Sequence, residues 1–106
     1  DYYASRGLGD VYKRQGKYRI TSNRESGFGR YDVVMEPLKE NLDAIVMEFK
    51  VQNTSKEKSL EETVEHALRQ IQEKQYDTEL LARGITKERI RHYGFAFRGK
   101  KVLMGN

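Results

Sequence analysis

RYDVVMEPLKENLDAIVMEFKVQ, residues 30–52, is the stretch whose reading decides the architecture. Its first third, RYDVVME, is a β-branched run closed by Pro37, the only proline of the chain, which cannot donate to a sheet ladder and so ends the strand. Its last third, residues 43–52 (DAIVMEFKVQ), carries Ile45, Val46, Met47, Phe49 and Val51, the near-continuous apolar pattern of a central strand. The loop LKENL between them makes an antiparallel hairpin centred near position 40, so residues whose numbers sum to about 80 face one another. Glu36 then opposes Ala44, Val34 opposes Val46, and Asp32 opposes Glu48. Side chains alternate between sheet faces, which sets Lys50 on the face of Glu48 and turns Ile45, Met47, Phe49 and Val51 to the other.

Two carboxylates meeting across a strand pair repel, and their apolar neighbours make each charge costly to desolvate. A divalent cation reverses that cost. Oxygen ligation by two carboxylates, with positions left for water and phosphate, is how Mg²⁺ is usually held. Asp32 and Glu48 are therefore the candidate catalytic and metal-ligating residues, and Lys50 adds a point charge beside them.

Outward from this hairpin, residues 17–23 (KYRITSN) alternate as a half-buried strand, and ESGFG at 25–29 supplies two glycines for the turn into the next. On the C-terminal side, Ser59-Leu60-Glu61-Glu62 is an S-x-x-E capping box, after which Leu60, Val64, Ala67, Leu68 and Ile71 follow helical spacing. The stripe loses phase at Gln75-Tyr76, where Asp77 is placed to cap a second short helix through Leu81 that Gly84 ends in the left-handed conformation. Residues 92–98 (HYGFAFR) and 101–104 (KVLM) are strands joined by Gly99-Lys100 as a two-residue hairpin turn. The expected fold is α/β with the order β-β-β-α-β-β.

The chain has 106 residues and a formal net charge of +4, room for one domain only and a mildly basic balance. There is no Cys, and His66 and His92 are the only histidines, which excludes disulfides, thiolate nucleophiles and Cys- or His-rich zinc sites. No run approaches the roughly 18 apolar residues of a membrane span, and no secretory leader is visible, so a cytoplasmic protein without a membrane partner is expected. Residues 1–15 (DYYASRGLGDVYKRQ) lack periodicity, and their tail resembles an adaptor-derived translation, so they are read as a non-native N-terminal scar. Residues 16–106 are the domain proper. A domain this short buries only roughly 60% of its unfolded surface, which points to a fragment of a longer protein.

GRYD at 29–32 followed by EFK at 48–50 resembles the Asp … (Asp/Glu)-x-Lys signature of the PD-(D/E)XK nuclease superfamily. SNRESGFGRYD, AIVMEFKV, ALRQIQEKQY and YGFAFRGKKV are similar to recurrent blocks of a bacterial subfamily in which this domain follows an AAA-type ATPase-like region. The resemblance implies a restriction-endonuclease-like mixed sheet packed between helices, with the usual N-terminal helix missing or replaced. It implies Asp32 and Glu48 as metal ligands, with the Phe49 carbonyl as a third. It implies Lys50 as the group that stabilises the developing phosphorane charge or orients the attacking water. Gln70 and Tyr76 match site residues of the helix block, and Arg30 of the GRYD block joins them as an accessory candidate. The implied activity is Mg²⁺- or Mn²⁺-dependent phosphodiester hydrolysis of nucleic acid, DNA in the first instance, with the upstream ATPase-like domain as partner.

The residues alone leave plainer readings open. Asp32 can satisfy backbone amides of its turn, Glu48 and Lys50 can be an edge-strand charge pair, and Gln70 can be a solvated helix residue. The two histidines lack a recognisable Ser or Asp partner pattern and carry no catalytic expectation. The functional alternative is a catalytically silent module of the same fold that binds nucleic acid or packs on the ATPase-like domain.

Overall fold

The structure, a computed structural model, describes residues 16–24 and 29–106. Among the described residues five strands form one sheet in the order β1-β2-β3-β4-β5: Tyr18–Arg24, Arg30–Pro37, Ala44–Val51, Ile90–Arg98 and Lys101–Gly105. Three of the four pairings are antiparallel, and β3 lies parallel to β4, so the sheet is mixed. The parallel pair requires a crossover, which is supplied by α1 (Leu60–Glu73), α2 (Tyr76–Ala82) and a 3₁₀ turn at Lys87–Arg89. The expected α/β order is observed, and the second short helix expected through Leu81 is present in the crossover as α2. The expectations about residues 1–15 and about the turn at 25–28 lie outside the described residues.

The hairpin register follows the sum of 80, pairing Val34 with Val46 and Asp32 with Glu48. Odd-numbered positions of β2 and β3 build one apolar face, where Val33, Met35, Met47 and Phe49 are buried with Tyr18. Phe49 stacks between Tyr31 and Phe95, at ring centroid separations of 4.6 and 4.7 Å. Even-numbered positions face the helices, where Ala44, Val46, Ile71 and Leu80 form a second core. Because β3 is buried on both faces, its sequence reads as a continuous apolar run, interrupted only by Glu48 and Lys50.

Ser59 caps α1 by accepting from the Glu62 backbone N–H at 3.2 Å, and the Glu62 carboxylate reaches back to the Lys58 N–H at 2.9 Å. The capping box thus closes one residue earlier than its usual form. Gly94 lies directly opposite Glu48 on β4. A Cβ there would meet the Val64 carbonyl and the Leu68 side chain at 3.1 Å, so the missing side chain is what lets α1 press onto the sheet over Glu48. The reading of Asp77 as a helix cap is corrected. Gln75 precedes α2 in the left-handed conformation, with φ 56°, and Asp77 sits inside the first turn, where it binds His92 Nε2 at 2.7 Å. A left-handed non-glycine residue turns the chain sharply in one step, which serves the corner between two helices better than a side-chain cap.

Candidate functional site

The Val51 N–H donates to the Gly29 carbonyl at 2.8 Å, so positions 29 and 51 are a hydrogen-bonded pair. Pairs alternate along an antiparallel ladder, which makes Tyr31–Phe49 hydrogen-bonded and Asp32–Glu48 a non-hydrogen-bonded pair, the kind whose side chains approach most closely. Both carboxylates are completely buried, at 0% exposure. The corner at Gln75 then brings two further groups over them, Lys74 at the end of α1 and Tyr76 at the start of α2.

Asp32 is well supplied with donors. Lys74 Nζ bonds its Oδ2 at 2.8 Å and Asn23 Nδ2 bonds its Oδ1 at 3.2 Å. Glu48 is not: among the described residues neither of its oxygens has a hydrogen-bond partner, and its nearest cations are Lys74 Nζ at 3.6 Å and Arg30 Nη2 at 3.7 Å. Burial, and next the Asp32 charge, push Glu48 up to about 7, against the pull of Arg30. Burial, followed by the approach to Asp32 and Glu48, pushes the Tyr76 hydroxyl up, and burial pulls the Lys74 ammonium down. The pair is therefore short of positive charge even with Lys74 seated on it.

Lys50 shares the sheet face of Glu48, but its ammonium goes to Glu57 Oε2 at 2.7 Å. Glu57, in the loop before α1, also accepts from the Asn53 N–H at 2.8 Å and from the Thr63 hydroxyl at 3.1 Å, and it contacts His66 Nδ1. Burial pushes this carboxyl up, but the bonds from Lys50, Asn53, His66 and Thr63 outweigh it and hold Glu57 at about 2. A cavity of about 410 Å³ opens beside this cluster, lined by Arg30, Lys50, Lys56, His66, Arg69 and Gln70 among others. Four Lys and Arg side chains line it against two carboxylates, Glu57 and Glu73, a net positive balance suited to phosphate.

These two carboxylates act on stability in opposite pH ranges. Glu48 has a folded-state pKa above its unfolded value of 4.5, so the native state holds the extra proton between about 4.5 and 7, and stability falls as pH rises through that range. The loss is on the order of 3 kcal/mol. Glu57 is depressed, so its stabilising contribution is present above 4.5 and disappears as pH falls toward about 2. The metal-free domain is expected to melt highest near pH 5 and lower on both sides. Thermal melts from pH 2 to 9 check this; a melting temperature that keeps rising from pH 5 to 8 would contradict the Glu48 assignment.

Of the residues singled out by sequence, Asp32, Glu48, Arg30 and Tyr76 converge, while Lys50 and Gln70 line the neighbouring cavity together with Arg30. The Phe49 side chain points into the apolar face, away from the carboxylates. Lys74, Asn23, Glu57 and His66 were not singled out. Lys74 and Gln70 are four residues apart on α1, a spacing that puts them on one helix face and could have flagged Lys74. Nothing in the spacing of residues 52–59 marks Glu57 as buried. The view of the histidines as lacking a Ser or Asp partner is corrected for His92, which meets Asp77, while His66 meets Glu57.

A mixed five-stranded sheet whose β2–β3 hairpin buries opposed carboxylates beneath a helical crossover defines an α/β domain of the restriction-endonuclease-like class. A family model of the PD-(D/E)XK nuclease superfamily matches residues 10–106. The chain belongs to that superfamily, whose members are generally hydrolytic nucleases and typically use Mg²⁺ or Mn²⁺. No curated protein and no solved structure matches it significantly. No helix among the described residues is long and apolar enough to cross a membrane.

Proposed function

We propose that this domain is a divalent-metal-dependent nuclease that hydrolyses phosphodiester bonds in nucleic acid, with DNA as its substrate. The observation that carries the reading is Glu48: a fully buried carboxylate with no hydrogen-bond partner, directly opposite a second buried carboxylate. Leaving such a group unsatisfied is costly unless a cation belongs beside it. Among the described residues no group of three or more His, Asp or Glu side chains clusters as a metal cage would. That donor set fits an ion such as Mg²⁺, which keeps much of its water and takes substrate phosphate oxygens, better than it fits zinc.

Asp32 and Glu48 would hold the ion, with the Phe49 carbonyl as third ligand through the lone pair that its ladder bond to Tyr31 leaves over. The ion, when bound, polarises the phosphoryl oxygen and lowers the pKa of a bound water. Lys50 and Arg30 present fixed positive charge to the phosphate, where charge develops as the bond breaks. Gln70 lines the same cavity and would orient the backbone, and Tyr76 hems in Asp32. The reading extends to residues 16–106 as the nuclease-like unit of a longer cytoplasmic protein, following an AAA-type ATPase-like region.

One observation favours the catalytically silent alternative, namely that Lys74 already neutralises part of the carboxylate pair. Cleavage of labelled DNA with Mg²⁺ or Mn²⁺, and with chelator, separates the two. Asp32→Asn and Lys50→Ala are each expected to lower cleavage by at least a factor of about 10² while circular dichroism stays unchanged. If the native domain binds DNA but never cleaves it with either ion, the silent module is the correct description.

A further inference from the structure

Glu57 belongs to neither the opposed carboxylate pair nor the family signature, yet it is buried at 2% exposure and every lone-pair direction it offers is used. Its Oε2 accepts from Lys50 at 2.7 Å and contacts His66, while its Oε1 accepts from the Asn53 N–H at 2.8 Å and from Thr63 at 3.1 Å. Its own backbone carbonyl is tied to Gln52 Nε2 at 2.9 Å. A carboxylate held at four points, on a backbone pinned at a fifth, cannot follow a moving partner, so the partner is held by it.

Lys50, by contrast, carries its ammonium on a four-carbon stem with many rotamers, and a free ammonium on that stem would sweep the cavity rather than mark one point in it. We propose that Glu57 is a positioning residue for Lys50: it fixes the ammonium in the cavity wall that Arg30 and Gln70 share, at a defined place relative to the phosphate to be cleaved. The inference rests on the nuclease reading above. Glu57 stays ionised across neutral pH, which keeps the bond charge-assisted. With its side chain 15% exposed, Lys50 remains reachable from the cavity while it is held.

Two readouts test this. The first needs no activity: the metal-free protein is treated with an amine-acylating reagent and labelling of Lys50 is followed by mass spectrometry. In Glu57→Gln the rate is expected to rise about tenfold, the scale of one lost charge-assisted hydrogen bond that frees the ammonium. The second is cleavage kinetics, where Glu57→Gln is expected to lower kcat by a factor of about 10 to 100 with KM for DNA unchanged, and Glu57→Asp to recover part of the loss. If Glu57→Gln does not fold, Thr63→Val, which removes one of the bonds that fix Glu57, is expected to shift both readouts the same way by a smaller factor. Unchanged labelling overturns the proposal, because Lys50 is then not held by Glu57. Faster labelling together with faster cleavage also overturns it, since Glu57 would then be withholding Lys50 rather than placing it. A native domain that does not cleave under any metal condition removes the nuclease reading and the positioning role with it, whereas a native domain that cleaves and a Glu57→Gln variant with unaltered kcat removes the positioning role alone.

Discussion

Glu48→Gln is expected to lower Mg²⁺-dependent cleavage by a factor of about 10³ or more and, at pH 8, to raise the stability of the metal-free domain by about 2 kcal/mol. The two effects share one cause. At pH 8 the Glu48 carboxyl, whose pKa stands at about 7, is mostly ionised, fully buried and without a hydrogen-bond partner. Gln has nearly the same shape, carries no charge, and can donate an amide N–H toward Asp32 on the facing strand. The repulsion that a metal ion would relieve is therefore relieved without one, at the expense of a ligand. At pH 5.5 native Glu48 is largely protonated already, so the stability gain is expected to shrink there. Thermal melts at the two pH values, beside cleavage assays, measure both halves. A Gln variant that melts below the native domain at pH 8 would show that the carboxylate pair is not under charge strain, and the case for a cation between Asp32 and Glu48 would lapse.

Lys74→Met should have an opposite signature. The ammonium sits 2.8 Å from Asp32 Oδ2 and 3.6 Å from Glu48 Oε1, so it neutralises the pair that would hold the dication on the proposed reading. Removing one partner of a buried ion pair while keeping side-chain bulk is expected to destabilise the metal-free domain by about 3 kcal/mol. The same change removes the competitor, and Mn²⁺ binding measured by titration calorimetry is expected to tighten about tenfold or more. Saturating Mn²⁺ should then return most of the lost melting temperature. Weaker Mn²⁺ binding in Lys74→Met would mean that the ammonium helps assemble the metal site instead of competing for it.

How much of this site was legible without coordinates follows from what each part depends on. The Asp32–Glu48 opposition needed only a turn position and a period of two, because a single loop of known length fixes the register of an antiparallel hairpin. The start of α1 needed only Ser59 and Glu62, since a cap is a bond between residues three apart. Lys50 was placed on the right face but not at its bonding partner. Backbone alternation sets where Cβ points, whereas a long, flexible side chain can reach a fixed anion outside its own strand, here Glu57 from a loop without periodicity.

By itself the sequence determined the α/β class, the hairpin register and the two opposed carboxylates, and its signature blocks pointed to the nuclease superfamily that the family match bears out. Only the tertiary structure decided that β3 runs parallel to β4, that Lys74, 42 residues from Asp32, closes over it, and that Glu57 and His66 flank the cavity. The physical reason is range. Patterns along one strand pair or one helix turn are set by backbone geometry that every chain shares, while the meeting of Lys74 with Asp32 depends on where a whole helix comes to rest, a result of summed packing such as the close seat that Gly94 gives α1.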